Sequence, residues 1–568
     1  MPRVSAWSGE SIGVECTEAR THYPLGFMLT ARAHARVGLL GNPSDLYGGR
    51  GLGFAVRELE ARVTLRDAAQ ISIDSAHLRA AWTTLGIDGA ARPCSTEANS
   101  NIPFQAGLSG SSALLIAALR AWNDWFDLRL SRTRIAELAW RTENEVLGIR
   151  AGPLDRLVQS HEGLAAMDFR APFDEASVER LDPTLLPPLL LAWHGQVGTS
   201  SGDVHAPIYA RFESGDQRVR SVMEALADNA LTGRAALEAR DHAEFLACVD
   251  RNFDLRSAIF DIAPADRALI ELGRSLGAAA KFPGSGGAVL FAVRDETHRT
   301  TLEAACRALG HTTLAPTVAL PTPRLRAVFL AAGFATRLYP ITLHKAKPLL
   351  EVDGVPMMTR VLRQVERAEC AVDGVVVANG RFHADFVTGE HDAQARFPLS
   401  IVNDGAMTND SRLGAVRDLI LALEQAPQRD DLDGYLVLAC DNLFEFDLAR
   451  LAKRFAQSGR GQLVVREVPT PVPGGKYSEV LLDERGTRVT RLREKPASPE
   501  SNLSAIAVYL LPRELPTLVR EYLTSSGNPD APGHLIAWLS ERTELEATRL
   551  DGKWADIGSA EDLARASG

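Results

Sequence analysis

Residues 104–115, FQAGLSGSSALL, set Gly107, Ser109, Gly110, Ser111 and Ser112 directly before a run with helical character. Glycines let backbone N–H groups approach a phosphate closely, and a helix N-terminus adds positive potential. Serine hydroxyls can donate to phosphate oxygens or coordinate Mg²⁺. No Gly-Lys-Ser/Thr follows, so this is not a Walker loop, and taken alone it could be a serine-capped helix start. Three further stretches change that: ARVGLLGNPSDLYGGR (35–50), NEVLGIRAGPLDR (144–156) and AAAKFPGSGGAVLF (278–291). They add a polar turn, a carboxylate after a glycine turn, and a second glycine-rich loop leading into a strand. Downstream, LAAGFATRLYPITLHKAKPLLEV (330–352) repeats the idea with a glycine turn followed by Arg337, Lys345 and Lys347. Clustered cations of that kind suit a triphosphate.

These residues need elements to hold them. Before residue 315, helix-like segments such as SRTRIAELAWRTENEVLGI (131–149) mix with short strands such as GAVLFAV (287–293). After residue 326, strands (AVFLAAG, GVVVANG, GYLVLACDN) alternate with helical stretches (MMTRVLRQVERAEC, LGAVRDLILALEQA), the pattern of an α/β domain with a largely parallel sheet. A glycine loop after the first strand of such a sheet lies where these folds bind nucleotides, at the carboxyl ends of the strands. Between the halves, APTVALPTPRLR (315–326) carries three closely spaced prolines, which favour extended chain. The expected domains are therefore 1–320 and 325–568.

Bulk properties narrow the function. A chain of 568 residues exceeds one hydrophobic core. The formal net charge of −10 gives no footprint for nucleic acid, though a few local cations can still bind small anions. Six scattered cysteines without a Cys-x-x-Cys pair fit free thiols in a reducing compartment. The longest apolar stretch, LLPPLLLAW (185–193), is too short to span a bilayer, and residues 1–30 lack a signal pattern. The expectation is a cytoplasmic enzyme acting on small molecules, with no nucleic-acid or membrane partner.

In order and separation, the four stretches of the first half resemble the GHMP kinases, the superfamily of galactokinase, homoserine kinase, mevalonate kinase and phosphomevalonate kinase. GNPSD, NIPFQAGLSGSSA, LGIRAGPLDR and GAAAKFPGSGGAV look most like the glucuronokinase versions. One departure stands out: sugar kinases of the superfamily usually carry an acidic residue and then His-Thr-Asp, where this chain has Asn42, Pro43 and Ser44 before Asp45. The resemblance implies an α+β GHMP fold. It also implies Asp155 as general base with Arg36 holding it ionised, and Ser112 and Glu143 as Mg²⁺ ligands, with Ser111 the alternate for Ser112. Gly107, Ser109, Gly110 and Ser111 would cradle the nucleotide. Gly284, Ser285, Gly286 and Gly287 would form a turn beside phosphate and substrate, and Asp45 would bind sugar hydroxyls.

The second half resembles the sugar-phosphate nucleotidyltransferases, the NDP-sugar pyrophosphorylases, which implies a Rossmann-like α/β domain with a mixed, mainly parallel sheet. Besides the loop, LACDNLF (438–444), REKP (493–496) and WADIGSAEDL (554–563) follow in family order. Ala346 replaces the proline usual before the catalytic lysine, Ala335 replaces a loop glycine, and Cys440 replaces the glycine of a Gly-Asp-Asn strand end. The implied roles are Ala332 and Gly333 at the nucleotide, Arg337 and Lys347 on the triphosphate, and Asp441 and Asp556 on Mg²⁺. Glu494 and Lys495 would hold the sugar 1-phosphate.

Together the halves imply ATP-dependent phosphorylation of glucuronate at its anomeric hydroxyl, then transfer of a uridylyl group from UTP to give UDP-glucuronate and pyrophosphate. UTP rests on pathway logic, since the loop does not distinguish it from dTTP. Two other readings stay open: a neutral sugar of the galactose or fucose type, or a second half that senses a nucleotide sugar without turning it over. A uronate carboxylate demands a cation, and Arg50, close after Asp45, is the expected partner, with Arg156 the alternative.

Overall fold

Strand β1 (Met28–Leu40) pairs antiparallel with β2 (Arg50–Asp67) along nearly its whole length, from Met28 opposite Arg66 to Leu40 opposite Leu52. Its period of two sends Ala33, Ala35, Val37 and Leu39 into the largest apolar core, and His34 and Arg36 to the opposite face. The second face is buried too, so Arg36 is a buried cation in mid-strand. The computed structural model describes residues 28–88, 92–194, 201–388, 395, 397–468, 471–557 and 559–566. The chain divides into two compact units, Met1–Pro321 and Thr322–Gly568, and the division falls inside the proline-spaced stretch 315–326.

The first unit is built on two sheets. One places β3 (Ser72–Ile73), β4 (Cys94–Ser100), β2, β5 (Leu164–Asp168) and β6 (Val178–Leu181) side by side, with β1 also paired to β2. The other is antiparallel, in the order β10 (Thr312–Leu314), β7 (Leu189–Trp193), β9 (Ala288–Ala292), β8 (Ala279–Lys281). Helix α1 (Gly110–Trp125) packs on β1 and β2 through Ala113, Ile116, Ala117 and Trp122. Helix α2 (Arg132–Arg141) ends in a π-helical turn, Thr142–Val146, rather than running on to Ile149 as its periodicity predicts. Such a turn re-aims side chains and recurs at functional sites. Helices α3 (Leu154–His161), α4 (Gln217–Glu238), α5 (His242–Ser257) and α6 (Pro264–Ser275) complete the parts used below.

The second unit is built on a seven-stranded sheet, with three two-stranded ribbons beside it among the described residues. The order of the sheet is β13 (Leu399–Asn403), β12 (Ala371–Ala378), β11 (Leu325–Leu330), β14 (Gly434–Ala439), β16 (Leu503–Pro512), β15 (Gly461–Glu467), β17 (Leu545–Arg549). Pairs β11–β12, β11–β14, β12–β13 and β15–β17 are parallel; β16 runs antiparallel to both of its neighbours. Helix α7 (Met357–Arg367) covers one face with Met358, Val361 and Leu362 against Leu325, Ala327 and Phe329. Helix α8 (Ala415–Gln425) covers the other with Val416 and Leu419 near Val328. The order reverses between β11 and β14, so a crevice opens at their carboxyl ends.

Candidate active sites

In the first unit the four glycine-bearing stretches converge on Asp155, in the first turn of α3. Its Oδ1 accepts from Arg36 Nε at 2.5 Å and its Oδ2 from Arg36 Nη2 at 2.8 Å, a bidentate pair. Ser109 also donates to Oδ2. Ser109 sits before α1 at φ 60°, and its hydroxyl serves the carboxylate instead of capping the helix. Arg36 Nη1 binds the carbonyls of Gly107 (2.7 Å) and Pro283 (3.1 Å), tying both glycine loops to the pair. Gly284 lies so close that a Cβ there would fall 2.1 Å from Gly107 O and 2.7 Å from Arg36 Nη1. Burial alone would raise the Asp155 pKa; Arg36 and Arg156 outweigh it and bring it down to about 2.

Asp45 is the opposite case. Burial and the neighbouring Asp155 push its carboxyl up to about 6, against a hydrogen bond from Leu154 N at 3.3 Å. Gly152 has to be glycine, because a Cβ would fall 1.9 Å from Asp45 Oδ2. Two carboxylates whose surroundings drive their pKa values apart are the usual mark of divided labour in a site.

Ser112, buried at the start of α1, donates to Glu143 Oε1 at 2.9 Å, while Ser111 is exposed. The other oxygen of Glu143 takes the Arg156 guanidinium. A hydroxyl and a carboxylate are suitable hard donors for Mg²⁺, but an ion there would have to share Glu143 with Arg156. Lys281, wholly enclosed, donates to Gly38 O (2.7 Å), Leu39 O (3.0 Å) and Asn42 Oδ1, fixing the turn that leads to Asp45.

In the second unit a cleft of about 450 Å³ opens at the carboxyl ends of β11 and β14, within the usual range for ligand sites. Ala332, Gly333, Arg337, Lys347, Asp441 and Asp556 all line it. Lys347 Nζ lies 2.9 Å from Asp441 and 4.0 Å from Asp556. The ribbon of Asn442–Phe444 against Trp554–Asp556 brings the two aspartates together, with Asn442 opposite Asp556. Burial raises the Asp556 pKa, Lys347 lowers it and Asp441 raises it again. Two carboxylates facing an open cleft fit Mg²⁺, which is commonly held by one or two carboxylates plus substrate phosphates. Arg337 is exposed and has no ion-pair partner among the described residues.

Comparison with known proteins now decides the family. Residues 75–163 match the GHMP kinases N terminal domain, 234–312 the GHMP kinases C terminal domain, and 326–568 the Nucleotidyl transferase family. Glucuronokinase 1 of Arabidopsis thaliana is 32% identical over 325 residues, covering 50% of this chain and 90% of that protein. The chain belongs to the GHMP kinases, fused to a nucleotidyl transferase. The transferase half is 28% identical over 242 residues to the mannose-1-phosphate guanylyltransferase catalytic subunit beta of Danio rerio, covering 42% of this chain and 62% of that protein. Among solved structures, Lactococcus lactis galactokinase complexed with galactose is matched at 13% identity over 51% of this chain and 93% of that one, with a TM-score of 0.45.

Some expected residues lie elsewhere. In the kinase unit, Arg50 turns to Asp168, with Nε 3.5 Å from the carboxylate, because it opens β2 directly opposite Asp168 of β5. Arg156 is committed to Glu143. In the transferase unit, Lys345 sits 3.2 Å from Glu351 and is not among the residues lining the cleft. Nor do Glu494 and Lys495 line it: Glu494 is buried, takes a hydrogen bond from Ser478 at 2.5 Å and packs against Gly533, and Lys495 is half exposed.

The family departures are accommodated locally. Ala346 keeps φ −62°, the angle proline would impose, and Ala335 adopts the left-handed φ 48° that a glycine takes freely. Cys440 is buried, as are the other four cysteines described, all free; Cys16 lies outside the described residues. Among the described residues no helix is long and apolar enough to cross a membrane.

Sequence reasoning missed Arg256, His205 and Lys281 in the kinase unit and Asp418 in the transferase unit. Lys281 sits inside a quoted motif, and a lone basic residue in an apolar strand is a readable signal; the others lie on ordinary helical stretches. Burial and Arg256 lower the His205 pKa to about 3, so this imidazole near Asp155 is neutral. Asp418 lines the cleft with Oδ1 unpartnered, its pKa raised to about 7 by burial and Asp404.

Proposed function

We propose that the kinase unit phosphorylates D-glucuronate at its anomeric hydroxyl with ATP, and that the transferase unit joins the resulting 1-phosphate to a uridylyl group from UTP. The products would be UDP-glucuronate, ADP and pyrophosphate. One observation carries the reading: likeness to glucuronokinase extends over 90% of that protein, and the kinase unit of this chain sets Arg36 and Ser109 on the Asp155 carboxylate.

Phosphoryl transfer needs positioning, charge neutralisation and a place for the hydroxyl proton. Asp155 would accept the hydrogen bond of the anomeric hydroxyl and take its proton once transfer is well advanced. With a pKa of about 2 it is a weak base, so orientation is the larger part of its work. Asp45 would bind other sugar hydroxyls, and the N–H groups around Gly107, Gly110 and Ser111 would cradle phosphate at the start of α1. Ser112 and Glu143 would hold a Mg²⁺ ion alongside Arg156, and Ser285 and Gly286 would border the sugar.

In the transferase unit a phosphate oxygen of the sugar 1-phosphate attacks the nucleotide α-phosphorus and pyrophosphate leaves. Arg337 and Lys347 would neutralise the triphosphate, and the loop at Ala332 and Gly333 would admit it closely. Asp441 and Asp556 would hold Mg²⁺, which supplies charge neutralisation at the α-phosphate. Glu494 and Lys495 would have to act on the sugar phosphate from beside the cleft. The guanylyltransferase relatives favour a second reading for this half, GTP with a neutral sugar 1-phosphate.

The test is a pair of release assays on the full chain. ADP release across glucuronate, galacturonate, galactose, fucose and mannose should be fastest with glucuronate. Pyrophosphate release across UTP, dTTP and GTP, with glucuronate 1-phosphate supplied, should be fastest with UTP. Faster galactose turnover would overturn the kinase reading, and a preference for GTP the transferase reading.

A further inference from the structure

Glucuronate differs from neutral sugars by a full negative charge, and the structure removes the cations nearest to hand. Arg36 is spent on Asp155, Arg156 on Glu143 and Arg50 on Asp168. Arg256, at the end of α5, is different. It is 2% exposed, and its Nη1 and Nη2 donate only to the backbone carbonyls of Gly284 (2.7 Å) and Ser285 (2.9 Å). Its Nε–H has no acceptor, and among the described residues no carboxylate lies within ion-pair distance. Asp266 and Asp45 act on this guanidinium only through space, so it is enclosed without a hydrogen-bonded counter-ion.

The place of this charge is also specific. Arg256 helps wall a cavity of about 220 Å³ together with Phe260, Ser285, Gly286 and two carboxylates, Asp261 and Asp266, of which Asp266 pairs with His194 at 3.1 Å. Through Gly284 it is one residue removed from Arg36, since Gly284 packs directly on the Arg36 guanidinium. A second unpartnered buried atom, His205 Nδ1, lies in the same neighbourhood, its ring 5.6 Å edge-on to Phe260. Phe260 in turn lies under Arg256, 4.9 Å from the ring centroid.

We propose that Arg256 is the specificity residue of the kinase unit, the buried cation that pairs with the carboxylate of a sugar-acid substrate beside the Gly284–Gly287 loop. The assignment rests on the glucuronate reading. An arginine bound only to carbonyls could instead be a brace for the loop, or could meet a nucleotide phosphate, and both must fail in the same experiment.

The experiment compares glucuronate with glucuronamide, which keeps the shape and loses the charge, by ADP release from the full chain. Arg256→Gln keeps an amide donor for the loop carbonyls without the charge. The wild-type preference in kcat/KM for glucuronate over glucuronamide should shrink by about 10- to 100-fold, the worth of one charge-assisted hydrogen bond, with the KM for ATP little changed. Equal losses on both sugars would make Arg256 a brace, and a loss confined to the KM for ATP would make it a phosphate ligand; either overturns the proposal.

Arg150, which is exposed and stacks on Tyr209 at 3.8 Å, is the comparison. If Arg150→Gln alone abolishes the preference, the assignment is wrong. Should Arg256→Gln fail to fold by circular dichroism, Arg256→Lys carries the test: an ammonium cannot reproduce the fork, so the preference should drop several-fold, and an unchanged preference counts against the proposal. If the wild type phosphorylates no uronate, the functional reading falls and the proposal with it. If it does, and the variants keep its preference, only the assignment falls.

Discussion

Replacing Asp155 by asparagine tests the kinase site most directly, and its cost can be worked from the geometry. The carboxylate accepts three hydrogen bonds, two from Arg36 and one from Ser109. Asparagine has one acceptor oxygen, and its NH₂ would face an Arg36 or Ser109 donor. The charge that orients the substrate hydroxyl and receives its proton disappears as well. Loss of a positioned base lowers rates by roughly 10²–10⁴-fold, about 3–5 kcal/mol of barrier. Sugar phosphorylation should fall by that factor.

The same change breaks a mostly enclosed ion pair, with Arg36 7% and Asp155 19% exposed at the side chain. Removing one partner of a buried pair costs about 3–5 kcal/mol, and the partial exposure of Asp155 places this case near the lower figure. Thermal unfolding of the full chain should therefore be recorded beside the assays. Ser109→Ala supplies the control: it removes one donor without stranding a charge, and should cost under about tenfold. Pyrophosphate release from supplied sugar 1-phosphate should be unaffected, because Lys347, Asp441 and Asp556 belong to the other unit. Kinase activity above a tenth of wild type in folded Asp155→Asn, or a parallel loss of transferase activity, would refute the reasoning.

Asp441→Asn should do the reverse: pyrophosphate release should fall by at least about 10²-fold while ADP release continues and sugar 1-phosphate accumulates. Because Asp45 titrates at about 6, the KM for sugar should rise as pH falls from 7 to 5, and Asp45→Asn should flatten that dependence. Asp418 is an acid whose folded pKa, about 7, lies above the unfolded 3.8, so its contribution to stability is full below pH 4 and is lost as pH rises through 7. Asp418→Asn should accordingly gain on the wild type between pH 5 and pH 8, by at most roughly 3 kcal/mol in urea unfolding of the transferase transition; a constant difference across that range would contradict the assignment.

Legibility in the sequence followed the physics of each signal. The transferase loop was readable because a strand, a glycine turn and cations in one run must share one strand end, whatever the rest of the chain does. The strand alternation after residue 326 gave the sheet for the same local reason. Arg50 pairs with Asp168, and closeness in sequence to Asp45 says nothing about direction. A turn separates the two, and Arg50 then opens a strand whose neighbour carries Asp168. Glu143 falls within the helix-like segment 131–149, but the π-helical turn that aims it, and the Arg156 that shares it, depend on packing between α2 and α3. Arg256 was invisible for a related reason: in sequence it is one arginine in a helix, and only the fold reveals that, among the described residues, backbone carbonyls alone accept its hydrogen bonds.

Asp155 and Asp45 lie with Arg36 and Arg156, and Arg256 stands behind the Gly284 turn that packs on the Arg36 guanidinium. Asp155 holds Arg36 by two hydrogen bonds, so that charge is balanced before substrate arrives. Arg156 is balanced in the same way by Glu143. Asp45, raised to about 6, is the carboxylate the site holds least firmly as an anion, and Arg256 is the cation with only carbonyls on its fork. Two loop carbonyls offset only part of the desolvation cost of an enclosed guanidinium. A site built for a sugar acid recovers it each time the substrate binds. A buried Arg256 that only carbonyls engage, beside the glycine loop, is therefore a reason, independent of sequence identity, to test an anionic sugar there.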